Sequence, residues 1–312
     1  MLQMKKVLVT GGAGFIGSHT VDLLLEKNIP VRVLDNFSSG HRSNLDESNP
    51  LLEIVSGDIV HTATVREQLS GVTHCLHLAA QVSVVASLED PVHSATQNIL
   101  GFVNVLSECQ NQGIEKLVYA SSAAVYGNPS QIPLPEDAEK SQLSPYGLEK
   151  QINEEYADLF SRLYGLSTLG QRFFNVYGPR QDPASPYAGV IALFVDAITQ
   201  NRDITIFGDG KQTRDFIYVK DVARANVAAL QGGVSGACNI GTGIQSTLLD
   251  LIEVLSMITN GNSKVSHEAA RDGDIRDSLA NVTRMNRELG VDAQTNIEQG
   301  LRALLEHSQN RS

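Results

Sequence analysis

The segment KKVLVTGGAGFIG, residues 5–17, decides the fold of this chain. Its first six residues form a short apolar, β-branched run that predicts a buried strand. Gly11, Gly14 and Gly17 follow at once in a G-x-x-G-x-x-G turn, and an apolar pattern of helical period then continues to about Asn28. In a strand–turn–helix unit of this kind, the helix N-terminus presents free backbone amides to an anion.

Glycine is needed at this turn for three reasons: the tight bend, the close approach of backbone to a pyrophosphate, and close packing of helix on strand. Asp35 ends the second predicted strand, 31–35, where a carboxylate accepts hydrogen bonds from ribose hydroxyls and repels a 2′-phosphate. The pattern therefore predicts a dinucleotide site for NAD rather than NADP. Asp58 ends the third strand and is either a partner of the adenine amino group or a solvated loop residue.

Strands and helices alternate through the first half of the chain. Further strands are predicted at 52–58, 73–80, 117–122 and 166–174, with helices at about 91–112 and 144–164. Strands that alternate with helices form right-handed βαβ units in a parallel sheet covered on both faces. We therefore expect an α/β fold, a Rossmann-type doubly wound parallel sheet with a smaller C-terminal lobe.

The pattern changes after Asn175, where three prolines punctuate a loop and short strands alternate with short helices. We expect residues 1–175 to form the NAD-binding domain and residues 176–312 to form mainly a substrate-binding lobe, with some segments returning to the large domain.

Composition narrows the class of protein. The chain has 312 residues, a formal charge of −11 and 42% hydrophobic residues, with no cluster of Lys and Arg. We therefore expect no nucleic-acid or membrane partner. We also expect a cytoplasmic location, because no apolar run approaches the ~20 residues of a membrane span and no signal-peptide pattern occurs. Cys75, Cys109 and Cys238 are widely spaced, so buried free thiols are favoured over a metal or redox site.

Tyr146 and Lys150 are four residues apart at the start of a predicted helix, which places both on one face. An ammonium about 4 Å from the phenol would stabilise the phenolate by about 4 kcal/mol, or roughly three pKa units. Ser122 ends the fifth strand at the sheet edge where such folds bind ligands. The three side chains predict a proton-transfer site beside the nicotinamide.

Six segments together resemble the extended short-chain dehydrogenase/reductase superfamily, in particular its UDP-galactose 4-epimerase branch. They span essentially the whole chain and are GGAGFIG at 11–17, DN at 35–36, LAA at 78–80, SSAAVYG at 121–127, Tyr146-x-x-x-Lys150 and RFFNVYGP at 172–179. The resemblance implies that Tyr146 is the base, that Lys150 tunes it, that Ser122 shares the proton path, and that Asn98 supports the active-site backbone.

The resemblance also implies which residues contact the ligands. Those expected at NAD are Gly11, Gly14, Phe15, Ile16, Gly17, Asp35, Asn36, Ser38, Gly40, Asp58, Ile59, Leu78, Ala79, Ala80, Gln81, Asn98, Ser121, Tyr146, Lys150 and Phe173. Those expected at the substrate are Ser83, Ser122, Tyr146, Asn175, Val190, Ile206, Phe207, Arg214, Arg271 and Ser278. The two arginines would hold the diphosphate, which suits a bidentate guanidinium.

Two alanines favour 4-epimerisation over other reactions of the superfamily. Decarboxylating and dehydrating relatives carry an acidic residue at the place of Ala124, and dehydratases carry an aspartate at the place of Ala123. Elimination needs that second acid–base pair. Ser278 falls where glucose-restricted epimerases can carry tyrosine, so the small residue either admits a 2-acetamido group or only serves local packing.

The expected activity is NAD-dependent 4-epimerisation of UDP-glucose/UDP-galactose, and of the N-acetyl sugars, through a 4-keto intermediate. Two alternatives remain open: another sugar-nucleotide enzyme, such as a uronate 4-epimerase or a reductase, and a non-catalytic NAD-binding regulator. The intact Ser122, Tyr146 and Lys150 argue against the regulator. The resemblance further implies a homodimer in which the helices at 91–112 and 144–164 pair into a four-helix bundle.

Overall fold

The computed structural model describes residues 4–182, 189–200, 202–259, 263–269 and 275–309. Up to residue 173, strands and helices alternate as expected. The elements are β1 (Val7–Thr10), α1 (Phe15–Glu26), β2 (Val31–Asp35), β3 (Leu52–Ser56), α2 (Thr62–Leu69), β4 (His74–His77), α3 (Val84–Glu89), α4 (Pro91–Ala95), α5 (Gly101–Asn111), β5 (Lys116–Ser122), α6 (Pro145–Tyr164) and β6 (Thr168–Phe173).

The rest of the chain consists of shorter strands and four described helices. They are β7 (Asn175–Tyr177), α7 (Val190–Thr199), β8 (Ile204–Phe207), β9 (Thr213–Arg214), β10 (Phe216–Tyr218), α8 (Val219–Gln231), β11 (Gly236–Ile240), β12 (Ser246–Thr247), α9 (Leu248–Thr259), β13 (Val265–Glu268) and α10 (Ile297–Gln309).

Within the described ranges, the central sheet has seven strands in the order β11-β6-β5-β4-β1-β2-β3, and every pairing is parallel. The strand order reverses between β1 and β4. A crevice forms at such a switch point, at the carboxyl ends of the strands, and ligands bind there. The predicted Rossmann-type fold is confirmed.

Alternate residues of the central strands pack on opposite faces of the sheet. On β1, Val7 and Val9 belong to the apolar cluster formed with α1 and α8, whereas Leu8 belongs to the cluster formed with α2 and α5. A strand covered by helices on both sides is hydrophobic throughout, which is why its sequence is a continuous apolar run rather than an alternating one.

Part of the second half completes the large sheet. α8 packs against α1, and β11 pairs with β6 as the edge strand. A separate apolar cluster holds α7, α9 and α10 together around residues such as Phe194, Leu251 and Leu301. This smaller lobe therefore has a core of its own.

Several predicted boundaries were wrong by a few residues. The strands predicted at 73–80 and 166–174 are shorter at both ends, at His74–His77 and Thr168–Phe173. The helix predicted at 91–112 has a π-helical turn at Thr96–Leu100. The three cysteines are buried free thiols, as predicted. Over the described residues, no helix is long and apolar enough to cross a membrane.

Candidate active site

The glycine turn after β1 is a cradle that side chains would fill. Gly11 has φ +68°, and a Cβ added there would lie 2.7 Å from the Ala79 backbone nitrogen. A Cβ added at Gly17 would lie 2.2 Å from the Gly11 carbonyl oxygen. Helix α1 begins after Gly14, which has no side chain to cap the first amides. These amides can therefore bind a pyrophosphate.

The Asp35 carboxylate is fixed at the end of β2. It is 7% exposed, and its two oxygens accept hydrogen bonds from the backbone amides of Ala13, at 2.9 Å, and Phe37, at 2.8 Å. Each oxygen keeps a second acceptor direction. Asp58 lies at the next strand end and accepts a hydrogen bond from Asn36 Nδ2 at 2.9 Å. This donor and acceptor set fits the adenosine half of NAD.

The loop after β4 is tied to the π-helical turn. Asn98 Oδ1 accepts a hydrogen bond from the Gln81 amide at 2.9 Å, and Asn98 Nδ2 donates to the Gln81 carbonyl at 2.8 Å. Ser83 caps α3 by accepting from the Ala86 amide. Because the side-chain oxygen and nitrogen of Asn98 are both hydrogen-bonded to protein groups, Asn98 acts on the site by holding this loop in place.

Ser122, Tyr146 and Lys150 come together at the carboxyl end of β5. The Ser122 hydroxyl interacts with that of Tyr146, and this interaction lowers the pKa of the phenol. Helix α6 carries the other two residues: Ser144 caps it, and the Tyr146 amide donates to Ser87 Oγ at 3.2 Å. Lys150 is 4% exposed, and its Nζ donates to the Ala120 carbonyl at 3.0 Å and lies 5.7 Å from the Tyr146 ring centroid.

In the chain without NAD the pKa of Tyr146 is raised, so the stabilisation of the phenolate by Lys150 and the nicotinamide together stays a prediction. Burial raises the pKa of Tyr146, the interaction with Ser122 opposes this, and the Glu149 charge raises it further. Burial also lowers the pKa of Lys150 itself to about 8. In the chain alone, Tyr146 is therefore a neutral phenol at pH 7.

The alanines at 123 and 124 lie beside these groups. Residues 123–126 form a 3-10 turn capped by Ser122. The Ala124 carbonyl lies against the residue that follows Tyr146, so a Cβ added at Gly147 would be 2.8 Å from it. An acidic side chain is thus missing at a place next to the candidate base.

In the smaller lobe, β9 and the segment at 276–278 are adjacent. The Thr213 amide donates to the Arg276 carbonyl at 3.0 Å, and Arg214 Nη1 donates to the Thr213 carbonyl at 2.8 Å. Ser278 is buried next to this contact. Gln212 Nε2 donates to the Phe207 carbonyl, which joins the end of β8 to β9. Arg271 lies outside the described residues.

The remaining candidates are placed as follows. Phe15 and Ile16 begin α1, Leu78, Ala79 and Ala80 follow β4, Ser38 and Gly40 follow β2, and Ile59 follows β3. Val190 begins α7, Ile206 is buried in β8, and Asn175 begins β7. Phe173 belongs to the large apolar core. Ser121 Oγ donates its proton to Glu154 at 2.6 Å, so it could take part in a contact with the cofactor only as an acceptor or through its backbone.

Sequence reasoning missed three buried residues behind the site. Glu149 and Glu154 lie on α6, and Arg172 on β6 donates to both oxygens of Glu154. The available signal was that Glu154 follows Lys150 by four residues and so lies on the same helix face. No comparable signal marks Glu149, whose neighbour on the chain is exposed Leu148.

The fold and these groups define the class of protein. A glycine cradle at a helix N-terminus, an acidic residue at the end of β2 and a Ser-Tyr-Lys set at the switch point are the parts of an NAD-dependent enzyme of Rossmann type. Residues 7–241 match the model of the NAD dependent epimerase/dehydratase family. The chain belongs to that family.

Three proteins are similar to this chain over nearly the whole length of both chains. A putative UDP-glucose 4-epimerase of Methanocaldococcus jannaschii is 39% identical over 98% of this chain and 99% of its own. A UDP-N-acetylglucosamine 4-epimerase from Methanobrevibacter ruminantium, solved with UDP-N-acetylmuramic acid, has a TM-score of 0.96 and 36% identity, with full coverage of both chains. The UDP-glucose 4-epimerase of Thermus thermophilus, solved with NAD, has a TM-score of 0.91 and 34% identity over 98% of this chain and 100% of that one.

Proposed function

We propose that this enzyme inverts C4 of UDP-hexoses, acting on UDP-glucose/UDP-galactose and on UDP-N-acetylglucosamine/UDP-N-acetylgalactosamine. The observation that carries the proposal is that Ser122 and Tyr146 come together at the carboxyl end of β5, with alanines at 123 and 124 in the turn between Ser122 and the helix of Tyr146. Epimerisation removes one proton from the C4 hydroxyl and later returns it, so one set of groups that accepts and donates a proton is sufficient. Dehydration and uronate decarboxylation require additional groups.

The proton path uses Ser122 and Tyr146. The Tyr146 oxygen takes the proton of the C4 hydroxyl, with Ser122 Oγ accepting from and donating to the same hydroxyl. NAD, when bound, accepts the C4 hydrogen as hydride, returns it, and adds positive charge at the site. Because burial raises the pKa of Tyr146, positive charge beside the phenol is what makes it a base. Lys150, held by the Ala120 carbonyl, supplies the protein's share of that charge.

Rotation of the 4-keto sugar between the two hydride transfers requires that the nucleotide stay fixed while the sugar turns. Arg214 and Arg271 are the residues proposed to hold the diphosphate, and Ile206 and Phe207 to line the uracil pocket. Buried Ser278 is next to the contact between β9 and the 276–278 segment. Its small side chain supports the inclusion of 2-acetamido sugars. The relatives named for UDP-glucose and for UDP-N-acetylglucosamine support the same range.

A substrate panel tests the proposal. The purified protein is incubated, without added NAD, with UDP-galactose, UDP-N-acetylgalactosamine and UDP-galacturonate, and the products are separated. We expect C4 epimers of the first two. Conversion of the uronate alone would make this a uronate 4-epimerase, and failure to convert any of them while NAD is retained would make it a non-catalytic NAD-binding protein.

We also propose that the enzyme is a homodimer formed by the helices at 91–111 and 145–164. An apolar groove on these helices is lined by Pro91, Val92, Ala95, Ile99, Leu100, Val103 and Tyr156. Val92, Leu100 and Leu163 are exposed although large and apolar, and a second copy of the same surface would cover them. Light scattering of the eluting protein should give twice the chain mass, and Leu100→Glu should halve it. A wild-type chain that elutes as a monomer contradicts this proposal.

A further inference from the structure

Glu149 immediately precedes Lys150 on α6 and is almost fully buried. Its Oε2 accepts a hydrogen bond from Ser94 Oγ at 2.8 Å and another from Asn98 Nδ2 at 2.6 Å. Both donors are neutral. A carboxylate buried among neutral donors costs more free energy than the isosteric amide would, so its charge at this position calls for a role beyond packing.

The two donors of Glu149 belong to the segment that holds the loop after β4. Asn98 exchanges two hydrogen bonds with the Gln81 backbone, and Ser94 Oγ also accepts from Gln81 Nε2 at 3.3 Å. The side-chain nitrogen of Gln81, Nε2, also donates to the Ser83 carbonyl. Asn98 lies within the π-helical turn, a distortion common at functional sites. A continuous chain of hydrogen bonds therefore links the helix of Tyr146 and Lys150 to residues 81–83.

We propose that Glu149 is a positioning residue of this enzyme: its buried carboxylate fixes the 81–83 loop against the catalytic helix and places one negative charge beside the Tyr146–Lys150 pair. Its side chain is buried and bonds to Ser94 and Asn98. It acts through Asn98 on the loop and through its charge on the two residues that move and stabilise the proton.

The negative charge of Glu149 shifts the pKa values of Tyr146 and Lys150 in the same direction. Glu149 raises the pKa of Tyr146 and also that of Lys150, which burial lowers to about 8. The other titratable groups near the pair have fixed charge states. His77 on β4 faces Lys150, and burial lowers its pKa to about 3; Glu154 on α6 is paired with Arg172 of β6 and with Lys140. Among the described residues, Glu149 is thus a carboxylate near the pair that forms no salt bridge, in contrast to Glu154.

The substitution Glu149→Gln removes the negative charge of this side chain and keeps its shape and position. The amide oxygen can accept both hydrogen bonds, from Ser94 and Asn98, while the charge is lost. The pKa values of Tyr146 and Lys150 then fall together, so both limbs of the pH profile of kcat should move to lower pH by about half a unit or more. Glu155→Gln, on the exposed face of the same helix, is the matched control and should leave the profile in place.

Glu149→Ala tests the positioning without turnover. It removes the acceptor, so the backbone amides of residues 81–83 should exchange hydrogen faster than in the wild type, whereas Glu149→Gln and Glu155→Gln should leave their exchange unchanged. An unchanged pH profile in Glu149→Gln, or unchanged exchange in Glu149→Ala, overturns the proposal.

The pH measurement rests on the proposed epimerase function, and the exchange measurement does not. If the wild-type enzyme converts no UDP-sugar, the proposed function fails and amide exchange still decides whether Glu149 holds the loop. If the wild type is active and the two variants behave as it does, only the role of Glu149 fails.

Discussion

Arg172 and Glu154 form a buried, bidentate ion pair between β6 and α6. Arg172 Nε and Nη2 donate to the two oxygens of Glu154, each at 2.8 Å, and the two side chains are 2% and 7% exposed. Glu154 also accepts from Ser121 Oγ on β5. The pair therefore ties the helix of Tyr146 and Lys150 to the two strands that end at the active site.

Removal of the arginine should destabilise the fold strongly. In Arg172→Met the Glu154 carboxylate stays buried with only Lys140 as a charged partner, and breaking a buried pair by deleting one member costs about 3 kcal/mol or more. Denaturant unfolding measures this. Arg162→Met is the control, because its ion pair with Asp158 is exposed and should contribute less than about 1 kcal/mol. Equal losses in the two variants would show that the buried pair is not a structural support.

Gly17→Ala should weaken the binding of NAD. The added Cβ would lie 2.2 Å from the Gly11 carbonyl and 2.8 Å from Gly12 Cα, so α1 must move away from the turn that holds the pyrophosphate. We expect affinity for NAD to fall at least about tenfold, measured by titration of the apoprotein. Gly233→Ala, where a Cβ meets open space, should bind NAD as the wild type does. Wild-type affinity in Gly17→Ala would rule out this cradle.

Ser278→Tyr should restrict the substrate range. A bulky ring at this buried position would occupy the space proposed for the 2-acetamido group. We expect kcat/KM for UDP-N-acetylgalactosamine to fall by about tenfold or more, while that for UDP-galactose changes by less than about threefold. Ser278→Ala is the control that keeps the space open. Equal losses on both sugars in the tyrosine variant would refute a role in sugar choice.

His19 should make the fold less stable in acid. Its ring is hydrogen-bonded to the Pro179 carbonyl at 2.9 Å, and burial lowers its pKa from 6.5 to about 4. The folded state thus prefers neutral His19, so its contribution to stability is full above pH 6.5 and is lost as the pH falls toward 4. In His19→Gln the free energy of unfolding should depend less steeply on pH across that window. Identical slopes would contradict this assignment.

The fold could be predicted because local signals agree with one another. The continuous apolar run of β1, the glycine turn after it and the regular alternation of strand and helix all require a parallel sheet with covered faces. The π-helical turn at Thr96–Leu100 could not be predicted, because its residues have an ordinary helical pattern and the distortion depends on the contacts of Asn98.

The residues of the candidate site were predictable where a motif places them at a strand end or on one helix face, as for Asp35, Ser122 and Tyr146. Their electrostatics were not. The sign of the Tyr146 pKa shift depends on how deeply the phenol is buried and on Glu149, whose carboxylate is held by two residues about fifty positions earlier in the chain. The spacing of residues along a helix predicts neither the burial of the phenol nor the contacts of Glu149.

The most direct test of the account is the turnover of Tyr146→Phe with UDP-galactose. The substitution keeps the ring and removes the hydroxyl that interacts with Ser122. We expect kcat to fall by about a thousandfold while NAD stays bound, and we expect Tyr164→Phe, at the exposed end of the same helix, to turn over at the wild-type rate. Full activity in Tyr146→Phe would contradict the assignment of the phenol as the base.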